Sequence, residues 1–114
     1  MAYKRGGVYL VNLNPSKGTE PGKMRPCIVM QSNYLNDIEH PSTTILPLTT
    51  QLIEDAAPLR FRLTSRDRLE YDSDVMLDQA RTIDNRRIHG DMLIFLNAQE
   101  MGKIELFWRI VLGL

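Results

Sequence analysis

Leu59-Arg60-Phe61-Arg62-Leu63-Thr64 alternates apolar and polar side chains without a break. Successive side chains of an extended chain point to opposite sides, so a period of two predicts a half-exposed strand. The period changes at the other decisive stretch, 97–113. There Met101, Ile104, Trp108 and Val111 follow at spacings of three, four and three, which is one face of an amphipathic helix. Asn97 is a suitable cap, and Glu100 stands where it completes a capping box. Working outward, residues 7–13 (Gly-Val-Tyr-Leu-Val-Asn-Leu) read as a strand, and 26–32 as a short buried strand. Residues 43–50 are rich in β-formers, with Pro47 predicting an edge strand or a bulge. Residues 74–83 give one more short strand or two, and Asn85 to Ile88 a brief helix. The stretches 14–22 and 33–42 read as loops, because Pro15, Gly18, Pro21 and Gly22 fill the first and Asn33, Asn36, Asp37 and Pro41 the second. Short strands followed by one terminal helix predict a mostly β chain with little α: a small, strongly bent sheet or barrel with the helix packed on it.

At 114 residues the chain is expected to form a single domain over 1–114. With 43% hydrophobic and 25% charged residues it is too apolar and too balanced to be disordered. No apolar run approaches the ~18 residues of a spanning helix, so no membrane association is expected. The start, Met-Ala-Tyr-Lys-Arg-Gly-Gly, lacks the apolar region of a secretory signal. The one cysteine, Cys27, fits a reducing, cytoplasmic setting. A core this small favours assembly into an oligomer.

The formal net charge of zero hides a pattern. Basic residues prevail in 1–35, 59–68 and 81–90, and acidic ones in 36–58 and 69–80. Ten of the 14 basic residues are arginine, whose planar fork suits phosphates and base edges. Such blocks are either solvated faces or, if they converge in the fold, a polyanion site. Cys27, His40 and His89 stand apart with no metal-ligand spacing, and no nucleophile elbow, Walker or dinucleotide glycine pattern occurs. What remains is chemistry by arginine, hydroxyl and carboxylate side chains without metal or cofactor, or no chemistry at all.

Three blocks in register resemble the MazF/PemK-type toxins. They are Lys4-Arg5-Gly6-Gly7-Val8-Tyr9 with Asn14-Pro15 and Gly18-Thr19-Glu20-Pro21-Gly22-Lys23-Met24-Arg25-Pro26, then Leu48-Thr49-Thr50-Gln51, then Asp78-Gln79-Ala80-Arg81-Thr82-Ile83-Asp84. Gly7 stands where the family usually has Asp, Pro21 and Lys23 alter its glycine loop, and some members carry histidine where Arg60 stands. The resemblance implies a small SH3-like barrel, a homodimer, and the toxin of a toxin–antitoxin pair. Its activity would be that of a ribosome-independent, sequence-selective endoribonuclease acting on single-stranded RNA (mRNA). The cognate antitoxin would place a flexible tail in the RNA groove.

The resemblance points to Arg25, Thr49 and Glu20 as catalytic residues. If the RNA 2′-hydroxyl attacks the adjacent phosphate, negative charge gathers on the phosphoryl oxygens and calls for fixed donors. Arg25 suits that demand, because its fork holds two oxygens. Its guanidinium stays charged, so it is no free base. Thr49 would bond a phosphoryl oxygen or relay a proton. Glu20 would either take the 2′-proton or orient Arg25 through a salt bridge. Gln79, for a base edge, and Arg81, for a phosphate, are expected to line the groove, with Arg60, Lys17 and Lys23 as further RNA contacts. Tyr9, Tyr34, Phe61 and Tyr71 are candidates for base stacking, although Tyr9 and Phe61 equally suit a core. Trp108 suits packing or a dimer contact. Two other functions compete. One is a CcdB-like poison of DNA gyrase on the same fold, although the ending Val-Leu-Gly-Leu lacks the Trp-Gly-Ile end of those proteins. The other is a non-enzymatic barrel that only binds a partner.

Overall fold

The computed structural model describes residues 2–114. In chain order it contains β1 (Gly7–Asn12), β2 (Met24–Val29), α1 (Asn33–Asp37), β3 (Ser42–Thr49), β4 (Arg60–Leu63), β5 (Ser73–Met76), β6 (Arg81–Asp84), a single 3-10 turn (Asn85–Arg87), β7 (Ile88–Phe95) and α2 (Ala98–Leu112). The strands pair in the order β4-β5-β3-β2-β1-β7, with β6 added to β3, and every pairing is antiparallel. The sheet bends strongly. At its ends, the hairpin after β4 closes through the Arg66–Leu69 bridge, and Arg68 reaches across to the Met92 carbonyl in β7 at 3.2 Å.

Both faces of the central strands are buried, and the period of two divides them. Even-numbered Val8, Ile28, Leu46 and Leu48 join Leu63, Val75 and Ile104 in one apolar cluster. Odd-numbered Tyr9, Val11, Cys27, Val29 and Ile45 join Ile83 and Ile88 in the other. α2 covers the first cluster. Its stripe packs as its spacing predicts, with Ile104 fully buried and Met101, Trp108 and Val111 against the sheet. The Asn97 side chain accepts the Glu100 N–H at 2.8 Å, the Glu100 carboxylate accepts the Asn97 N–H at 3.0 Å, and Gly113 ends the helix at φ +75°. Glu100 also takes both terminal nitrogens of Arg66, at 2.9 and 2.8 Å, which ties the helix start to the β4–β5 hairpin.

Three local expectations are corrected, and one strand, β7, was not expected. The stretch 33–42 is not all loop: α1 begins there, because the Ser32 hydroxyl accepts the Tyr34 N–H at 3.1 Å. β2 starts two residues before the apolar run, since Met24 and Arg25 pair with Asn12 and Val11; Arg25 therefore lies inside a strand. Pro47 is on neither an edge nor a bulge. β3 pairs with β2 on one side, while on the other β6 ends at Ile45 and β5 begins at Leu48, so Pro47 falls in the handover. Lastly, β7 has no clean alternation to announce it. Its register on β1 shifts between Val8, opposite Ile94, and Leu10, opposite His89, and Gly90 takes φ +75° in the shifted segment.

Candidate active site

On the odd-numbered face the apolar cluster stops short of the strand ends, and polar side chains take over. Directly opposed residues of neighbouring strands share a face. Arg25 opposes Val11, and Thr49 lies two residues beyond Pro47, which opposes Cys27. Arg25 and Thr49 thus come from adjacent strands to one end of one face. They line two adjoining clefts. The smaller, about 180 Å³, is also lined by Lys23, Thr50, Gln51 and Ser73. The larger, about 450 Å³, is also lined by Thr19, Gln51, Arg60 and Gln79. Arg25, Thr49 and Gln51 line both clefts and form the wall between them.

Arg25 is held by backbone. Its Nε donates to the Gly22 carbonyl at 2.7 Å and its Nη1 reaches the Leu48 carbonyl at 3.4 Å, which leaves Nη2 and the remaining Nη1 proton for a ligand. Gly22 is set by the loop it ends. The Leu13 N–H donates to the Lys23 carbonyl at 2.8 Å, and the Lys23 N–H to Asn14 Oδ1 at 2.8 Å. A Cβ at Gly22 would meet Ser16 Cβ at 2.9 Å, so only glycine fits that close approach. The Thr49 hydroxyl accepts the Gln51 N–H at 3.1 Å, so its own proton is free to be donated outward.

A buried carboxylate lies behind Ile53 and Arg60, which line the larger cleft. Asp74 on β5 lies directly opposite Thr49 and is 1% exposed. Burial alone would raise its pKa. The Arg62 Nε bond at 2.6 Å, the Ile53 N–H and the charges of Arg62 and Arg60 outweigh burial and hold it below the ordinary carboxylate range. Cys27, below the site, is the opposite case: burial pushes its thiol up to about 12 despite Arg25 and Arg81 nearby.

The other expected residues are distributed as follows. Lys23 lines the smaller cleft and Gln79 the larger. Arg81 opposes Ile45 on the same face but lines neither cleft, and its buried Nη1 has no hydrogen-bond partner. Lys17 and Glu20 are exposed on the β1–β2 loop and line neither cleft; among the described residues Glu20 makes no ion pair with Arg25. Tyr9 belongs to the core, and half-buried Phe61 packs against it. Tyr34, on α1, lines neither cleft, whereas exposed Tyr71 borders an apolar recess of about 330 Å³ that shares Pro26, Thr50 and Ser73 with the smaller cleft. Sequence reasoning missed Asp74, Arg62 and Gln51. The one signal for Asp74 was an aspartate inside a β-forming run, Ser73-Asp74-Val75-Met76, where that residue type is depleted.

The chain is similar to known proteins over nearly its whole length. The profile of a family described as PemK-like, MazF-like toxin of type II toxin-antitoxin system matches residues 4–112. The chain is 33% identical to Endoribonuclease EndoA of Bacillus subtilis (strain 168) over 115 aligned positions, covering 100% of this chain and 97% of that protein. Among solved structures, MazF from Deinococcus radiodurans superposes with a TM-score of 0.83 at 20% identity, covering 100% of this chain and 99% of the other. An endoribonuclease in complex with its cognate antitoxin from a mycobacterial species gives 0.77 at 23% identity, covering 99% and 97%.

Proposed function

The chain belongs to the family of PemK-like, MazF-like toxins of type II toxin–antitoxin systems, and on that premise we propose that it is an endoribonuclease that cuts single-stranded RNA, mRNA included, without the ribosome and without a metal ion. The observation that carries this is the meeting of Arg25 and Thr49, from two strands, on the wall between two clefts. RNA lying across that wall presents its scissile phosphate to one guanidinium and one hydroxyl. The 2′-oxygen attacks the neighbouring phosphorus, the bond from phosphorus to the 5′-oxygen breaks, and the products carry a 2′,3′-cyclic phosphate and a 5′-hydroxyl. Arg25 binds the phosphoryl oxygens as their charge grows, since it is already oriented by the Gly22 and Leu48 carbonyls. Thr49, with its acceptor side occupied by Gln51, donates to the phosphate or passes a proton to the leaving oxygen. Glu20, on the exposed loop beside Thr19 and Pro21, which border the larger cleft, would accept the 2′-proton or orient the free edge of Arg25 once RNA is bound. Lys17 and Lys23 add charge for the RNA backbone along the same loop.

The same membership supports a homodimer paired with an antitoxin whose flexible tail lies in the RNA groove; the mycobacterial relative is a toxin–antitoxin complex. A cytoplasmic setting is supported by the buried free thiol of Cys27. No helix of the described residues is long and apolar enough to cross a membrane. The test is incubation of the purified protein with a long single-stranded RNA in EDTA, with the new ends mapped. Cutting at a recurrent motif to cyclic-phosphate and 5′-hydroxyl ends is the expected result. Intact RNA, with DNA gyrase trapped on its DNA instead, would replace the nuclease with a gyrase poison. Neither outcome would leave a binding module.

A further inference from the structure

The ion network around Asp74 has a geometry that points past catalysis, toward recognition. Arg60 Nη1 donates to the Gln51 carbonyl at 3.2 Å and lies 3.4 Å from Asp74 Oδ2, and the same Oδ2 accepts the Ile53 N–H at 2.9 Å. Asp74 Oδ1 is taken by Arg62 Nε at 2.6 Å. One guanidinium carries five N–H donors in a rigid plane. The Nη1 end of Arg60 is occupied, while its Nε and Nη2 make no hydrogen bond to the described residues. Arg60 borders the larger cleft, with two strands, β5 and β3, between its own strand and that of Arg25. The free edge, Nε with Nη2, is the one that meets two adjacent acceptors at once. An unheld arginine would lose side-chain freedom on binding, and holding it beforehand removes that cost.

We propose that Asp74 is a positioning residue: its buried carboxylate fixes Arg60 as a two-donor fork in the larger cleft and holds Gln51–Ile53 as the wall behind it, so that the fork selects a pair of neighbouring acceptors on bound RNA. This rests on the RNA-binding reading above. Two parts of an RNA strand present such a pair. One is the O6 and N7 of a guanine, and the other is the two free oxygens of a phosphate. Asp74 also sharpens the fork by what it removes. Shared between Arg60 and Arg62, its charge lowers the general attraction of this wall for any polyanion and leaves the directional contact.

The experiment measures binding of the intact protein to 2′-O-methyl oligonucleotides, which lack the attacking hydroxyl and separate binding from cleavage. One arm replaces guanosine by 7-deazaguanosine. The other replaces single phosphates by methylphosphonates. The wild type is expected to lose roughly tenfold in affinity in one arm, and that arm names the acceptor pair. Asp74→Asn is expected to bind the modified strand no more weakly than the wild type does, and to lose the discrimination. A merely structural role would weaken both strands alike. A folded Asp74→Asn chain that keeps the wild-type discrimination overturns the proposal, and so does a wild type that discriminates in neither arm. Should Asp74→Asn fail to fold, Arg60→Gln, which keeps the Asp74–Arg62 pair, carries the test: loss of discrimination supports the fork and its retention rejects it. If the fork is found but the EDTA assay shows no cutting, the nuclease reading falls and the fork stands.

Discussion

β2 and β3 are buried on both faces, yet the two faces end differently. The even-numbered face carries Ile28, Leu46 and Leu48, stays apolar at its Leu48 end and is covered by α2. The odd-numbered face is apolar through Cys27, Val29 and Ile45, then ends in Arg25 and Thr49, with Asp74 across from the threonine. One strand therefore carries two kinds of residue in alternation. A side chain lost from the helix-covered face costs stability, and one lost from the open end of the other face costs function. Neighbours in sequence, Leu48 and Thr49, fall on opposite sides of that division because successive side chains alternate.

The sharpest way to break this contrast is a pair of substitutions two strands wide. Leu46→Ala removes a fully buried side chain under α2 and is expected to cost about 3–5 kcal/mol. Urea unfolding measures it, and the cleavage rate of the protein that remains folded should match the wild type. Arg25→Ala should behave in the reverse sense. The rate should fall at least about 100-fold, because one oriented donor to the developing charge is gone. The stability loss should stay within about 1.5 kcal/mol, since only two bonds to backbone carbonyls are removed. A folded Arg25→Ala chain with full activity would dissolve the division between the faces.

Thr49→Val tests the same end of the face with less force. The shape is kept and the hydroxyl is lost. A rate reduction of about 10–100-fold is expected, the worth of one hydrogen bond to a charged group, with little change in the melting temperature. A loss confined to stability would make Thr49 an anchor for the Gln51 N–H and nothing more.

What the sequence disclosed follows the range of the interactions involved. The strand at 59–64 and the helix with its Asn97–Glu100 box are set by neighbours a few residues apart, and both formed as their spacing predicts. β7 and the setting of Pro47 depend on partners far along the chain: a shift against β1 in one case and a change of neighbour strand in the other. No local pattern encodes either. The site divides likewise. Arg25, Thr49, Gln79 and Arg60 were named from family blocks and charge, and the fold brings them to the two clefts. Asp74 was hidden in an acidic block, because its meaning lies in Thr49 across the sheet and in two arginines a strand away. Glu20 shows the converse. Its place five residues before Arg25 suggested a salt bridge, but the Gly22 carbonyl, nearer in the chain, holds the guanidinium.

The smallest expected effect lies where the helix-covered face meets α2. Glu100 serves two ends, the Asn97 N–H and both terminal nitrogens of Arg66. Burial would raise its pKa, but those bonds prevail and hold it below the ordinary value. The carboxylate is therefore favoured in the folded chain, and its contribution to stability is present above the unfolded pKa of about 4.3. It is lost as the pH falls through the lower folded value. Glu100→Gln keeps the shape and a weaker acceptor, so at neutral pH it should cost about 1 kcal/mol. The gap between variant and wild type should close on acidification below about pH 4, read from urea midpoints across a pH series. RNA cleavage at neutral pH should be unchanged, since Glu100 lies on the face away from Arg25. A gap that persists at low pH would mean that packing, not charge, joins the helix to the β4–β5 hairpin. A change in cleavage would mean that the two faces are coupled through the sheet they share.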